Sequence, residues 1–300
     1  MNERIQKLRR QTLQTKPYIS PERAWLETEF YKTGTAEKVT IPVARALCFK
    51  YILEHKEIYI GEQELIVGER GPRPKATPTY PEICTHTLKD LQMLNDREKI
   101  NFGVDEETQR LTKDVFLPYW QGRSIRDRIF NEMDEQWKMA YESGIFTEFM
   151  EQRSPGHTVL DNKIYNKGMI DFREDISKAV AGLDFMNDPR ALAKREELKA
   201  MDIAAEAIIL FAQRYAAKAL ELSENEKDAR RKSELEQIAA VCKHVPEHAP
   251  RTLDSLRKAQ THPERYRDLI VRVAGYSDYF VDLGIDLQNE IIRRTENAAV

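Results

Sequence analysis

The stretch Leu269-Ile-Val-Arg-Val-Ala-Gly-Tyr-Ser-Asp-Tyr-Phe280, near the C-terminus, is the most informative part of this chain. It begins with an apolar run rich in β-branched residues, which predicts a buried strand. The strand is expected to stop at Gly275, and a polar and aromatic run leaves on the other side. On these residues alone Gly275 is interpreted as a turn, because glycine permits backbone conformations that a Cβ atom forbids.

The rest of the chain is dominated by helical patterns. After Gly284, the four-residue spacing of Leu287 and Ile291 predicts a short helix over residues 285–295. Helical periodicity also predicts helices at residues 3–15, 42–55, 86–95, 105–117, 123–142 and 226–242, and from Asp188-Pro189 onward. The expected fold class is therefore mainly α with few short strands.

Local signals indicate where helices end and loops begin. Ser20-Pro21-Glu22 predicts a helix start with Ser20 as N-cap, and Gly144 is expected to close the helix that precedes it. Three prolines within residues 71–78 predict an extended loop. Residues 64–68 are interpreted as a short strand or a buried turn, and residues 145–173 as irregular.

The longest predicted helix carries a single apolar stripe. Its members are Leu198, Met201, Ala205, Ile208, Ala212, Tyr215, Ala219 and Leu222. A stripe of this kind is more typical of core packing than of a cofactor site.

Composition limits the class of protein. The chain has 300 residues, a net charge of −3 and 32% charged residues, which suits one or two domains with a real core and gives no sign of a nucleic-acid or membrane partner. Cys48, Cys84 and Cys242 lie far apart without disulfide-framework spacing, as expected in a reducing cytoplasm. The charged N-terminus predicts no signal peptide, and no apolar run is long enough to cross a bilayer.

The tail resembles a known family. The segment from Val271 to Phe280, followed by a helix that ends Ile292-Arg-Arg-Thr-Glu296, closely resembles the C-terminal radical domain of the glycyl radical enzymes. The resemblance implies that Gly275 stores the radical. An activating enzyme with an iron–sulfur cluster and S-adenosylmethionine would remove a hydrogen from its α-carbon, so this chain itself would bind no cofactor. Oxygen destroys such a radical, which implies an anaerobic cytoplasm.

Two N-terminal stretches extend the resemblance to the family branch that dehydrates trans-4-hydroxy-L-proline. They are Glu64–Arg70 with Pro78–Cys84, and Gly144-Ile-Phe-Thr-Glu-Phe-Met-Glu-Gln-Arg-Ser-Pro-Gly-His-Thr158. The resemblance implies that Phe149 packs against the pyrrolidine ring of the small-molecule substrate and that His157 makes a polar contact to it. From the residues alone, the second stretch is either a site loop or a capped surface loop with a hydrogen-bonded histidine.

The resemblance also predicts two regions. Residues 1–251 correspond to an incomplete N-terminal helical, pyruvate formate-lyase-like region, which in the family forms a shell around an α/β barrel. Residues 252–300 correspond to the glycyl radical domain, a strand, loop and helix. In the family a large central segment with a catalytic Gly-Cys-x-Glu loop separates the two, whereas here they join near residue 252.

The cysteines of this chain do not match that catalytic loop. The family uses a cysteine as thiyl radical and a glutamate two residues later as base. Cys48, Cys84 and Cys242 all lack the preceding glycine and the following glutamate. Their His neighbours, His86 and His244, do not have the tight paired spacing of a zinc site, so no metal is expected.

Three interpretations of function remain open from the sequence. The first is a glycyl radical dehydratase by lineage, whose own catalytic competence is doubtful without the thiyl cysteine. The second is an internally deleted or reduced module that binds a radical S-adenosylmethionine activating enzyme and is activated by it. The third is a helical scaffold without radical chemistry, because fold alone does not fix function. The family usually forms dimers, which makes a homodimer possible.

Overall fold

The structure is a computed structural model, and it describes residues 3–145, 160, 163–164, 166–250, 259–267, 269–273 and 276–296. Most of these residues are helical, as predicted. The helices are α1 (Glu3–Gln14), α2 (Glu22–Lys32), α3 (Ile41–His55), α4 (Leu88–Asp96), α5 (Glu106–Leu111), α6 (Leu117–Trp120), α7 (Ile125–Glu132), α8 (Glu135–Glu142), α9 (Met169–Ala181), α10 (Ala191–Asn225), α11 (Ala229–His244) and α12 (Ile285–Glu296). No helix of the described residues is both long enough and apolar enough to cross a membrane.

Side-chain caps determine several helix starts. The carboxylates of Asp105, Asp134 and Asp228 accept hydrogen bonds from backbone N–H groups in the first turn of α5, α8 and α11. Ser124 does the same for α7, and Thr87 forms a reciprocal capping box at α4. Each cap satisfies a donor that the helix itself leaves without a partner.

Two helix boundaries differ from the predictions. The predicted helix over residues 123–142 is two helices, because Met133 adopts an extended backbone and Asp134 caps a new start. Residues 145–173 were predicted to be irregular, but α9 begins at Met169. Its start is stabilised from a distant segment, since the N–H groups of Met169 and Ile170 donate to the Pro246 and Glu247 carbonyls at 2.8 and 3.1 Å.

Two smaller predictions at helix starts are also corrected. The N-cap of α2 is Pro21 and not Ser20, which is the last residue of a strand. The helical run that starts at Glu106 continues past the predicted end at residue 117 to Trp120. It passes through a π-helical turn, Thr112–Phe116, in which the Leu117 N–H bonds to the Thr112 carbonyl immediately before Pro118.

Within the part of the chain that the structure describes, the strands form two two-stranded sheets. β1 (Tyr18–Ser20) pairs in parallel with β2 (Ala76–Pro78), within the region predicted as an extended loop. β3 (Ile270–Val273), the predicted strand, pairs antiparallel with β4 (Tyr276–Tyr279), which the sequence analysis did not predict as a strand. Residues 64–68 form no strand; Leu65 and Ile66 lie in a bend, the other three have no regular structure, and Ile66 is 63% exposed.

The long helix α10 is the centre of the N-terminal region and packs against α3, α9 and α11. Its stripe was predicted only in part. Ala205, Tyr215 and Ala219 are buried as predicted, but Met201 is 54% exposed. Alanines predominate among its buried residues, and small side chains let helix backbones approach closely, so packing on three sides overrides a single stripe.

Candidate functional site

The β3–β4 hairpin flanks the predicted radical residue in the sequence. Val273 lies opposite Tyr276, and Ile270 lies opposite Tyr279. Gly275, with Ala274, lies between these strands in the chain and outside the described residues. Two strand-like runs separated by two residues are the usual sequence signal of a hairpin, and this signal could have predicted β4.

A hydrophobic cluster supports this hairpin. Phe280 is fully buried, and it packs with Ala259, Ile291 and Ile292. Partly buried side chains from the hairpin and from α12, including Val271 and Leu287, cover the cluster. The backbone N–H of Phe280 donates to the Leu269 carbonyl at 2.8 Å, which fixes the exit of the hairpin to its entrance.

Gln288 joins the hairpin exit to α12. Its buried amide nitrogen donates to the carbonyls of Phe280 and Leu283, both at 2.9 Å. One side chain therefore satisfies two backbone acceptors in the short turn between β4 and the helix. The sequence analysis missed this residue, because a glutamine in a helix gives no signal until its partners are known.

Buried cations bind the backbone of the stretch Glu64–Arg70 and of Gly61 just before it. The Lys56 ammonium donates to the carbonyls of Glu69 and Arg70, each at 3.1 Å. Arg231, on α11, donates to the carbonyls of Glu64 and Gly61 at 2.9 and 2.8 Å. Burial lowers the pKa of Lys56. A segment without regular structure is thereby fixed through its backbone, which satisfies buried carbonyls.

Arg23 holds the segment around Pro78–Cys84. Its guanidinium makes a two-point contact with the Glu82 carboxylate, with an Nη2–Oε1 distance of 2.8 Å and an Nη1–Oε2 distance of 3.2 Å. It also donates to Glu27 at 2.7 Å and to the Thr79 carbonyl at 3.2 Å. The guanidinium lies 4.0 Å from the centre of the Tyr80 ring.

The predicted substrate residues lie outside the described part of the chain. Phe149 and His157 fall within residues 146–159, so the structure does not test whether they meet each other or Gly275. The helix before them ends as predicted. Gly144 has a φ of +75°, and the N–H groups of Gly144 and Ile145 return to the Tyr141 and Ala140 carbonyls. This is a Schellman ending, in which glycine avoids the strain of a left-handed backbone.

The three cysteines lie in different environments. Cys48 is buried, and burial followed by the nearby Glu27 raises the pKa of its thiol. Burial also raises the pKa of Cys242. The Sγ of Cys84 accepts a hydrogen bond from Arg126 at 3.3 Å. Among the described residues, no group of three His, Cys, Asp or Glu side chains could hold a metal ion.

Comparison with known proteins identifies the family. The family model described as pyruvate formate lyase-like matches residues 1–255. A helical region of this kind, followed by the hairpin and helix of the tail, is the arrangement expected for part of a glycyl radical enzyme. The chain belongs to the pyruvate formate lyase-like family of glycyl radical enzymes.

Individual members of the family are similar to this chain over most of its length. The chain is 47% identical over 250 residues to a trans-4-hydroxy-L-proline dehydratase from Clostridioides difficile, a match that covers 83% of this chain and 32% of the relative. The crystal structure of hydroxyproline dehydratase from the same organism, with trans-4-hydroxy-L-proline bound, has a TM-score of 0.79 and covers 84% of this chain and 32% of that one. The glycerol-bound, B12-independent glycerol dehydratase from Clostridium butyricum is 30% identical, with a TM-score of 0.74 and coverage of 84% and 32%. The chain thus spans about a third of the length of the relatives it matches.

Proposed function

We propose that this chain carries the radical-storing residue and part of the substrate pocket of a glycyl radical dehydratase of the trans-4-hydroxy-L-proline type. The observation that carries the proposal is the 47% identity to such a dehydratase over 250 residues. The reaction is abstraction of a hydrogen next to a hydroxyl group, followed by loss of water. Phe149 packs against the substrate ring and His157 makes a polar contact to it.

Gly275 is the proposed radical residue, and the hairpin that flanks it in the chain supports the assignment. The unpaired electron sits between an amide nitrogen and a carbonyl, which delocalise it when the α-carbon flattens. A side chain would resist the flattening and block the approach of the abstracting radical. The partner is a radical S-adenosylmethionine enzyme that supplies the iron–sulfur cluster. The activation of Gly275 takes place in an anaerobic cytoplasm.

We assign different roles to two consecutive regions of the chain. Residues 1–251 form the helical shell and residues 252–300 form the radical domain. The separate hydrophobic cluster around Phe280 supports this boundary. Cys48, Cys84 and Cys242 do not match the family's Gly-Cys-x-Glu pattern, so the chain as written lacks the thiyl cysteine and the base and does not turn over alone.

A second candidate function is a reduced, non-catalytic module that the activating enzyme binds and activates. The same cluster favours it, because the core of Ala259, Phe280, Ile291 and Ile292 is built from tail residues. The tail therefore has its own packing around the hairpin, which an activating enzyme could recognise without the rest of a full-length dehydratase.

Anaerobic electron paramagnetic resonance tests the radical site. The chain is incubated with a cognate activating enzyme, reductant and S-adenosylmethionine, beside a Gly275→Ala control. We expect a glycyl doublet in the unmutated chain alone. No doublet, with the activating enzyme proven active on a full-length relative, would contradict the assignment of Gly275.

A turnover assay then tests the expectation that the activated chain does not turn over alone. The activated chain is given trans-4-hydroxy-L-proline under the same anaerobic conditions, and product is compared with a control without enzyme. A radical without product is the expected result, because the three cysteines do not match the Gly-Cys-x-Glu pattern. Product that disappears in the Phe149→Ala and His157→Ala variants would show that the chain is a complete dehydratase.

A further inference from the structure

Two acidic side chains, the buried Glu27 and the partly buried Glu82, lie over a single cation between α2 and the segment that follows β2. Glu27 is only 4% exposed, and its Oε2 lies 2.7 Å from Arg23 Nη1. The same guanidinium makes the two-point contact with Glu82. One nitrogen, Arg23 Nη1, therefore lies between the two acids, 2.7 Å from Glu27 Oε2 and 3.2 Å from Glu82 Oε2.

The charges of Glu27, Glu82 and Arg23 do not balance. Two ionised carboxylates and one guanidinium carry a net charge of −1, and an unpaired charge is costly on the buried side chain of Glu27. The remaining neighbours do not supply a second cation, because Cys48 on α3 directs its Sγ to Glu27 Oε1 at 4.0 Å. Tyr31 on α2, whose pKa burial raises to about 12, and Tyr80, whose ring centre lies 4.0 Å from the Arg23 guanidinium, add no positive charge, and the charge of Arg45 faces Tyr31.

We propose that Glu27 and Glu82 share one proton above Arg23, and that this buried proton-binding site is a pH-sensitive latch between α2 and the segment Thr79–Cys84. Glu82 binds the guanidinium of Arg23 through its two-point contact. Glu27 holds the proton and donates a hydrogen bond to Glu82. Like-charged carboxyl groups held together in low dielectric bind a proton in this way.

The latch also reaches α7 through the backbone. The N–H groups of Ile125 and Arg126 donate to the carbonyls of Glu82 and Ile83 at 2.9 and 3.0 Å. The segment that Arg23 holds is therefore the attachment point for the start of α7. Loss of the shared proton places two facing carboxylates over one cation, which loosens the segment and, with it, this attachment.

The direction of the pH effect follows from the shift. Burial, followed by the hydrogen bond with Glu82, raises the pKa of Glu27 from 4.5 to about 9. Below pH 4.5 both the folded and the unfolded chain hold this proton, and the contribution to stability is full; above pH 4.5 only the folded chain holds it. The contribution declines as the pH rises and is lost above pH 9.

Thermal unfolding and hydrogen exchange test the latch on the full chain. Between pH 6 and 9 we expect the unfolding midpoint to fall and amide exchange over residues 79–84 to rise, after correction for the intrinsic exchange rate. In the Glu27→Gln variant both changes should become much smaller over this range, since glutamine keeps the shape and a donor to Glu82. The matched control is Glu29→Gln on the same helix, whose carboxylate pairs with Lys32 at the surface and should leave the pH dependence unchanged.

A spectroscopic measurement covers the case in which Glu27→Gln does not fold. Infrared spectra of the unmutated chain should contain the band of a protonated carboxyl group at pH 7 that is lost at pH 10. The Glu82→Gln variant removes the second carboxylate but not the burial of Glu27, so this band should be lost at a lower pH than in the unmutated chain. An unmutated chain without the band, or a Glu27→Gln variant that keeps the full pH dependence, would overturn the proposal.

Discussion

At the scale of single residues, a few buried polar side chains determine the course of segments that have no regular structure. Lys56 and Arg231 bind four carbonyls of residues 61–70, and Arg23 fixes the stretch after β2. Such side chains stabilise the fold, because a buried carbonyl without a donor has lost its hydrogen bonds to water and gained none in their place.

Replacement of Lys56 by methionine tests this role. The change keeps the length of the side chain but removes the two hydrogen bonds to Glu69 and Arg70. We expect the free energy of unfolding to fall by about 2 kcal/mol, measured by urea denaturation. The control Lys89→Met, at an exposed position on α4, should change it by less than about 0.5 kcal/mol. Equal effects of the two changes would contradict the assigned role.

Replacement of Gln288 by alanine tests the hairpin exit. The change leaves the carbonyls of Phe280 and Leu283 without their donor, so local stability should fall by about 1–3 kcal/mol. Hydrogen exchange over residues 280–296 reports the loss. Gln213→Ala, at an exposed position of α10, is the matched control. Unchanged protection in the Gln288 variant would show that the two bonds contribute nothing.

At the scale of elements, distant backbone contacts decide where helices begin. α9 starts where it does because its first N–H groups meet the carbonyls of Pro246 and Glu247, just after α11. Gly168, the N-cap, makes this approach possible. A Cβ atom built on Gly168 would lie 2.1 Å from the Glu247 carbonyl oxygen and 2.4 Å from the His248 α-carbon.

The variant Gly168→Ala should therefore destabilise the chain by about 3 kcal/mol, because the atoms in the way belong to the backbone and cannot turn aside. Gly182→Ala at the other end of the same helix is the control. Its Cβ atom would come no closer than 3.6 Å to a neighbour, so it should be neutral or stabilising by up to about 1 kcal/mol. Thermal denaturation of both variants decides the point, and similar melting temperatures would refute the expected close contact.

At the scale of the whole molecule, the described residues form separate hydrophobic clusters. Those of the N-terminal region lie around Trp120, around Leu235 and around Val43, and the tail cluster surrounds Phe280. The helices pack on one another around α10, yet large apolar side chains such as Ile41 and Met186 remain 76% and 90% exposed.

The variant Phe280→Ala tests whether the tail cluster unfolds by itself. Removal of a fully buried phenylalanine should weaken this cluster by about 3–5 kcal/mol. We expect faster hydrogen exchange over residues 259–296 with unchanged exchange in α3 and α10. Phe185→Ala, which removes a side chain that is 54% exposed, serves as control. Faster exchange in α10 as well would mean that both regions unfold as one unit.

The sequence by itself determined the mainly helical class, the ends of α1, α3 and α12, the strand before Gly275 and the glycine ending at Gly144. These features depend on local periodicity and on backbone conformations that single residues favour. The family resemblance was also present in the sequence, and the comparisons confirm it.

Only the tertiary structure decided the remaining features. The pairing of β1 with β2, the start of α9 at Met169 and the roles of Arg23, Lys56, Arg231 and Gln288 all depend on partners far away in the chain. A parallel strand pair or a buried cation has no local signature, because its energy comes from groups that folding brings together. The proton between Glu27 and Glu82 depends on the same kind of contact, since the two residues are 55 positions apart in the sequence.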